Sequence, residues 1–292
     1  MPSPPSSEPA EAALPTPLAA GVTWLACVIA MIAASIALVN VAALIRAALG
    51  TPVLTELSAP GVSPLLSSPS WFVAGAVTTQ VTVGLVLALV LRLRKLSWRA
   101  ILPLRRAPPQ AFAGALLVVF GLAPLAQVVG ELTSRVLRVE LKASLIVSHM
   151  AQAASPLEFV AILLCLSVLP GLIEESMFRG YVTSAYARRS LAVQAIVPSV
   201  LFGLFHLEPT QATATMILGV GFALARLYSG SLLPSMVAHG IYNGTVLTIA
   251  RAMPEAEDHA IRFVPLVVGA LLFVAGLFLL RMSPSVSGAE PR

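Results

Sequence analysis

The stretch that decides the fold runs from residue 157 to residue 189 and reads LEFVAILLCLSVLPGLIEESMFRGYVTSAYARR. Its first half is almost entirely apolar, and the helix that it predicts is expected to continue to about Arg188. That helix would carry Glu174, Glu175 and Arg179 within the bilayer. Ionisable side chains are costly in hydrocarbon, so they face the interior of a helix bundle and mark function. The stretch therefore predicts a transmembrane helix that holds part of a functional site.

The composition of the whole chain agrees with a membrane protein. Hydrophobic residues make up 58% of the 292 residues and charged residues 11%, whereas roughly a quarter of a soluble domain is charged. The net charge of +5 does not indicate nucleic-acid binding, because the basic residues lie in short connections between apolar runs. Cys27 and Cys165 both lie inside apolar runs, which excludes a disulfide framework and a cysteine-rich metal site.

Eight apolar stretches can be marked along the chain, and a span of the bilayer needs about 20 residues. They are Ala19–Ile45, Trp71–Leu91, Ala111–Gly130, Leu157–Ile173, Leu191–Leu207, Ala212–Ala225, Leu232–Ala250 and Phe263–Leu280. The pattern predicts an all-α fold, a polytopic bundle of about eight transmembrane helices. The sequence shows no inverted internal repeat of the kind that transporters use.

The chain divides around these stretches. Residues 1–18 are rich in Pro, Ser, Glu and Ala and are expected to form a disordered tail, as are residues 283–292. Residues 19–150 hold the N-terminal transmembrane helices and a loop. Residues 151–252 hold the fourth to seventh stretches and form one core segment, and residues 253–282 are predicted to form a C-terminal transmembrane helix.

The segment Glu131–Ser155 separates the third stretch from the fourth. It mixes charges with spaced apolar residues, namely Val136, Leu137, Val139, Leu141, Leu145 and Ile146. This pattern is typical of an interfacial amphipathic helix, here beside the mouth of the site, but an ordered loop would also account for it.

The orientation in the membrane follows from lysine and arginine, which are more frequent in cytoplasmic connections. The strongest basic cluster lies between the second and third stretches and consists of Arg92, Arg94, Lys95, Arg99, Arg105 and Arg106. With this connection inside the cell, both termini are cytoplasmic. The expected location is the cell (inner) membrane, which the chain crosses several times.

The ionisable groups of the fourth stretch can have separate tasks. Glu175 and Arg179 are four residues apart with the acid first, which is the favoured spacing for an ion pair on a helix. Glu174 points in another direction and is left without a local partner, free to face a cavity. A partly desolvated carboxylate of this kind suits a general base. The alternative is a structural charge network that holds helices together.

A second motif, Phe202-x-x-x-His206, is expected at the same depth as Glu174. If the chain turns near Ser190, Glu174 and His206 each lie about 24 Å from the turn along their helices. Phe202, one turn before His206, would form an apolar wall beside the imidazole.

A third motif, His239-x-x-x-Asn243, lies in the seventh stretch. A turn at residues 229–231 puts His239 about 14 Å and Asn243 about 20 Å along that helix, on one face. A single histidine in a membrane helix is usually a hydrogen-bonding partner between helices. Two histidines at compatible depth with a glutamate and an asparagine predict a site that activates water.

The chain thus carries Glu-Glu-x-x-x-Arg, Phe-x-x-x-His and His-x-x-x-Asn in this order. The three motifs resemble those of the CPBP intramembrane proteases, relatives of the type II CAAX prenyl endopeptidase that are also called the Abi family. The resemblance covers about Leu157 to Ala250 and leaves helices one to three and eight outside it. It implies hydrolysis of a peptide bond within the bilayer, with Glu174 as the catalytic glutamate.

The expected mechanism has Glu174, aided by His206, deprotonate a trapped water that attacks the scissile carbonyl. His239 and Asn243 would polarise that carbonyl or hold the developing oxyanion. Glu174, His206 and His239 could instead supply a zinc site with an open water position. The His-Glu-x-x-His helix of soluble zinc proteases is absent, and the metal-free glutamate mechanism is favoured. The residues expected to support the site are Glu175, Arg179 and Phe202.

Two other classes of function stay open at this point. One is a proton-coupled transporter, because intramembrane glutamates and histidines also form proton relays. The other is a noncatalytic bacteriocin-immunity or scaffold protein. For a protease, the partners would be the lipid bilayer and a membrane-associated protein or peptide substrate, with no nucleic acid. A prenylated protein, a secreted peptide and a C-terminal sorting tag of the kind processed by the myxosortase branch are all compatible with the motifs, and the sequence does not fix the oligomeric state.

Overall fold

A computed structural model describes residues 13–49, 68–139, 142–253 and 263–284. Over these residues the chain forms ten helices and no strand. They are α1 (Pro17–Ala48), α2 (Pro69–Leu93), α3 (Trp98–Ile101), α4 (Pro109–Leu137), α5 (Lys142–Ala153), α6 (Pro156–Ala185), α7 (Leu191–Leu204), α8 (Pro209–Ser229), α9 (Leu233–Ala252) and α10 (Phe263–Met282).

The predicted all-α, polytopic membrane bundle is confirmed. Six of the described helices are long and apolar enough to cross a membrane, namely α1, α2, α4, α6, α8 and α10. Helix α7 is apolar but has 14 residues, and α9 has 20 residues but carries more polar side chains. The protein is therefore a multi-pass membrane protein, and each of the eight apolar stretches lies mainly within one of these helices.

The ends of several elements differ from the expectation. Helix α1 already begins at Pro17, because the side chain of Thr16 accepts a hydrogen bond from the backbone of Ala19 and caps the helix. The expected tail therefore ends before residue 17, and residues 1–12 and 285–292 lie outside the described part of the chain. Helix α6 ends at Ala185 instead of about Arg188, and α7 ends at Leu204 instead of Leu207.

The segment between the third and fourth stretches is mostly helical. Helix α4 continues through Leu137, and α5 follows after a break. The guanidinium of Arg251, on α9, donates hydrogen bonds to the carbonyl oxygens of Ala151 (2.7 Å) and Ala154 (2.9 Å) and lies over the ring of Phe159. These bonds satisfy carbonyls at the end of α5 that have no partner within the helix. The described part of the segment is thus mainly helical and is tied to the bundle.

Helices α4 and α10 pack through glycines. A Cβ atom on Gly121 would lie 2.5 Å from the backbone nitrogen of Phe273, and one on Gly276 would lie 2.6 Å from that of Val118. Small residues let membrane helices approach each other closely. The last helix is therefore packed directly against α4.

Helix α6 positions the candidate site, and two of its segments are π-helical, Leu164–Val168 and Ser176–Val182. Wider turns of this kind are rare and are frequent at functional sites. Pro170 lies between the two segments and has no amide hydrogen for the carbonyl of Leu166, four residues earlier. The helix formed by this stretch is thus irregular, and the carbonyl oxygen of Leu166 is available to a partner outside the helix.

Candidate active site

The buried ion pair predicted on α6 is present. The Nη1 of Arg179 lies 2.9 Å from Oε1 of Glu175, and both side chains are fully buried. The Nη2 of Arg179 donates to the carbonyl oxygen of Gly219 at 2.9 Å. Its guanidinium lies 4.4 Å from the ring centre of Phe202 and 5.2 Å from that of Phe222. The arginine thus joins α6, α7 and α8 through one charged group.

Glu175 also holds His239. The Nδ1 of His239 lies 3.0 Å from the same Oε1 of Glu175 that accepts from Arg179. An ionised carboxylate can only accept, so Nδ1 carries the hydrogen and Nε2 keeps its lone pair in the neutral ring. The ring stacks on Phe222 with centres 4.5 Å apart. His239 is therefore fixed in one tautomer and one orientation.

Glu174 has a partner that the sequence did not indicate. Its Oε1 accepts a hydrogen bond of 2.6 Å from Nε2 of Gln80, on α2, so Glu174, which was expected to have no local partner, has a partner that is distant in sequence. Its Oε2 lies 3.9 Å from Nε2 of His239, beyond hydrogen-bond distance. Gln80 belongs to none of the three motifs. The available signal was weak, a single amide side chain in the apolar stretch Trp71–Leu91.

His206 lies beyond the end of α7, in the turn that leads to α8. Its Nδ1 lies 2.9 Å from the carbonyl oxygen of Phe202 and 3.4 Å from Oγ1 of Thr215. The Phe202 ring meets the imidazole edge-on at 5.1 Å, as expected for an apolar wall. His206 is close enough to Glu174 and His239 to interact electrostatically with both. Like His239, it therefore uses Nδ1 for a hydrogen bond to an oxygen of the protein.

Asn243 contacts α6 two turns before Glu174. Its Nδ2 donates to the carbonyl oxygen of Leu166 at 2.9 Å, the carbonyl that Pro170 cannot satisfy. The backbones of α6 and α9 approach closely here, since a Cβ atom on Gly171 would lie 2.8 Å from the carbonyl oxygen of Met236. The structure thus brings Glu174, His206 and His239 together and gives Asn243 a bond between helices.

The turn after His206 is closed by a helix cap. Leu207 has a left-handed backbone, with φ of 60°. Glu208 accepts hydrogen bonds from the backbones of Thr210 (3.0 Å) and Gln211 (2.7 Å) and caps α8. Burial raises the pKa of Glu208, but these bonds outweigh it and leave the pKa below its ordinary value. Glu208 thus holds the start of α8 immediately after His206.

The donor atoms do not fit a metal ion. Among the residues that the structure describes, no three His, Cys, Asp or Glu side chains are grouped so that they could hold one. The zinc set considered from the sequence, Glu174, His206 and His239, is not arranged as a ligand sphere. The grouping of these side chains therefore gives no support to a metal-dependent reaction.

The geometry defines a class of protein, a multi-pass membrane protein with a buried cluster of glutamate, histidine and arginine side chains. Residues 156–245 match the family described as type II CAAX prenyl endopeptidase Rce1-like. The match contains all three motifs and confirms the resemblance to the CPBP intramembrane proteases over that segment. The matched family is a protease family, which supports an enzyme. No curated protein and no solved structure matches the chain.

Proposed function

We propose that the protein is an intramembrane endopeptidase in which Glu174 activates the attacking water. The observation that carries the proposal is the 3.9 Å separation between Oε2 of Glu174 and Nε2 of His239. Gln80 holds the Glu174 side chain through a hydrogen bond to Oε1, and Glu175 holds the His239 ring through a hydrogen bond from Nδ1. Two fixed acceptors that converge in a buried site are the arrangement that binds one water molecule by both of its hydrogens.

The reaction follows from this arrangement. The water oxygen attacks the scissile carbonyl carbon, and its proton passes to Oε2 of Glu174. When the tetrahedral intermediate collapses, the carbon–nitrogen bond breaks and Glu174 returns the proton to the leaving amine. One water is consumed, and one carboxylic acid and one amine are formed, which ionise to a carboxylate and an ammonium group in neutral solution. Glu174 is thus first general base and then general acid.

The remaining site residues have supporting tasks in the proposal. We assign Nε2 of His206 to proton transfer at Glu174, and we assign His239 to orienting the water as well as polarising the carbonyl. Asn243 has a second amide hydrogen besides the one that it gives to Leu166, and we assign that hydrogen to the developing oxyanion. Glu175 and Arg179 orient His239, because Glu175 accepts from both.

The proposed substrate is a membrane-associated protein or peptide, which reaches the site from the bilayer. The experiment that tests the function is mass spectrometry of new N- and C-terminal peptides in host membranes. Membranes that contain the wild-type chain are compared with membranes that lack it and with membranes that contain the Glu174→Gln variant. Cleavage products that occur only with the wild type support the proposal, and identical product sets in all three membranes contradict it.

The two histidines provide a test of the metal-free mechanism. We expect His206→Ala and His239→Ala each to lower kcat by about 100-fold or more, the typical contribution of a positioned proton-transfer group. Elemental analysis of the purified active enzyme should find metal well below one equivalent, and activity should survive chelation. Stoichiometric zinc, with loss of activity on chelation and recovery on adding zinc, would contradict the mechanism.

The proposed orientation places both termini and the Arg188–Arg189 turn in the cytoplasm. Helix α7 spans only about 21 Å, so the turn at His206 lies at or below the opposite membrane surface. The site then opens towards the extracytoplasmic side, which fits a secreted or surface-sorted substrate better than a cytosolic prenylated one.

Single cysteines test this orientation in a Cys27→Ala/Cys165→Ala background. In intact cells, a membrane-impermeant thiol reagent should label Pro209→Cys and should label Ser190→Cys only after permeabilisation. Both native positions are exposed, so accessibility within the protein does not limit the reaction. Labelling of position 190 but not of 209 in intact cells would show that the site opens to the cytoplasm.

A further inference from the structure

Gln80 lies at the candidate site but outside the segment that matches the protease family. It belongs to α2, whereas the match covers residues 156–245. Helix α2 packs against α6 beside the glutamates, where the position of Gly84 faces the side chain of Ile173. The Gln80 side chain is 6% exposed, in a helix whose remaining buried side chains are apolar. A buried amide in such a helix needs a polar partner.

The two polar atoms of the Gln80 amide have different environments. Nε2 donates to Oε1 of Glu174 at 2.6 Å, which is short for a hydrogen bond between nitrogen and oxygen. Oε1 of Gln80 is buried and has no hydrogen-bond partner among the described residues. An amide retained only for packing between helices would satisfy both atoms. The amide nitrogen of Gln80 thus binds Glu174, and the amide oxygen remains available to accept a further hydrogen bond.

We propose that Gln80 is a positioning residue for Glu174, and this inference rests on the function proposed above. The bond to Nε2 fixes one carboxylate oxygen, so the other oxygen, Oε2, is turned towards His239 and the water. The unpartnered Oε1 of Gln80 can accept a hydrogen bond from water in the same site. The N-terminal helices therefore contribute to the reaction and do not only anchor the core.

The test is a set of variants at position 80, measured with a synthetic peptide that spans a cleavage site found in host membranes. Gln80→Met keeps the size of the side chain and removes the donor. We expect kcat to fall about 100-fold, the effect of misplacing a reacting group by about 1 Å. KM should stay within about twofold, because Gln80 acts through Glu174 and not on the bound peptide. Gln80→His restores an N–H at a similar reach and should recover most of kcat.

The matched control is Thr79→Val, the neighbouring residue on α2, whose hydroxyl donates to Gly75 within the same helix. This variant should keep both kinetic constants. A folded Gln80→Met protein with wild-type kcat, alongside an inactive Glu174→Gln protein, overturns the positioning role alone. Activity that persists in Glu174→Gln overturns the proposed function instead. If the methionine variant does not fold, the histidine variant decides, and a folded Gln80→His protein as inactive as Glu174→Gln overturns the inference.

Discussion

Replacement of Glu174 by glutamine is expected to abolish peptide cleavage and to leave the amount of folded protein nearly unchanged. The amide has the shape of the carboxylate but cannot take a proton from water at neutral pH. A positioned general base contributes about 100- to 10,000-fold to a rate, so kcat should fall by at least that range. Folding should be preserved because Glu174 is not part of the Glu175–Arg179 ion pair, and a glutamine can still accept from Gln80.

The measurement is kcat of the purified variant, together with its thermal unfolding in detergent. Glu158→Gln is a matched control on the same helix, since Glu158 is only half-buried and forms a capping box with Ser155 that glutamine can also form. This control should cleave at the wild-type rate. Turnover by purified Glu174→Gln at more than a few per cent of the wild-type rate would remove Glu174 from its assigned role.

The elements of the fold that could be predicted are those that depend on neighbouring residues in the sequence. Apolar runs near the thickness of a bilayer gave the helices, because the backbone in hydrocarbon has to satisfy its own hydrogen bonds. The Glu175–Arg179 pair could be predicted in the same way, because side chains four residues apart meet on a helix. Even the two π-helical segments of α6 do not separate these two side chains.

The contacts that could not be predicted depend on how helices rotate about their own axes. The position of the His239 motif predicts how far along its helix His239 lies. The sequence could not show that Nδ1 contacts Glu175 while Nε2 faces Glu174. Gln80 is distant in sequence from the motifs, and no local pattern connects it with Glu174. The end of α7 at Leu204 was also missed, because apolar residues, Phe205 and Leu207, continue past it, and the left-handed turn at Leu207 has no glycine to mark it.

Among the variants proposed for this protein, Arg179→Ala is expected to lower the free energy of unfolding most. Arg179 and Glu175 are completely buried, and the arginine is the only cationic side chain bonded to that carboxylate among the described residues, apart from His239 if protonated. Removing one partner of a buried ion pair leaves an uncompensated charge and costs about 3–5 kcal/mol. The variant also removes the contacts of the guanidinium with Phe202 and Phe222. Activity should fall as well, because Glu175 no longer holds His239 in place.

The loss of stability should be reversed when the charge of Glu175 is removed together with that of Arg179. In the double variant Glu175→Gln/Arg179→Met, neither side chain is charged, and glutamine can still accept from Nδ1 of His239. Thermal unfolding in detergent should therefore recover most of the stability that Arg179→Ala loses, since a buried pair replaced as a unit costs little. Arg99→Ala, which removes an exposed arginine beside Trp98, is the control and should leave the unfolding temperature unchanged. An Arg179→Ala protein with wild-type stability and no activity would contradict the structural role and would instead make Arg179 a direct contact of the substrate or of the reacting groups.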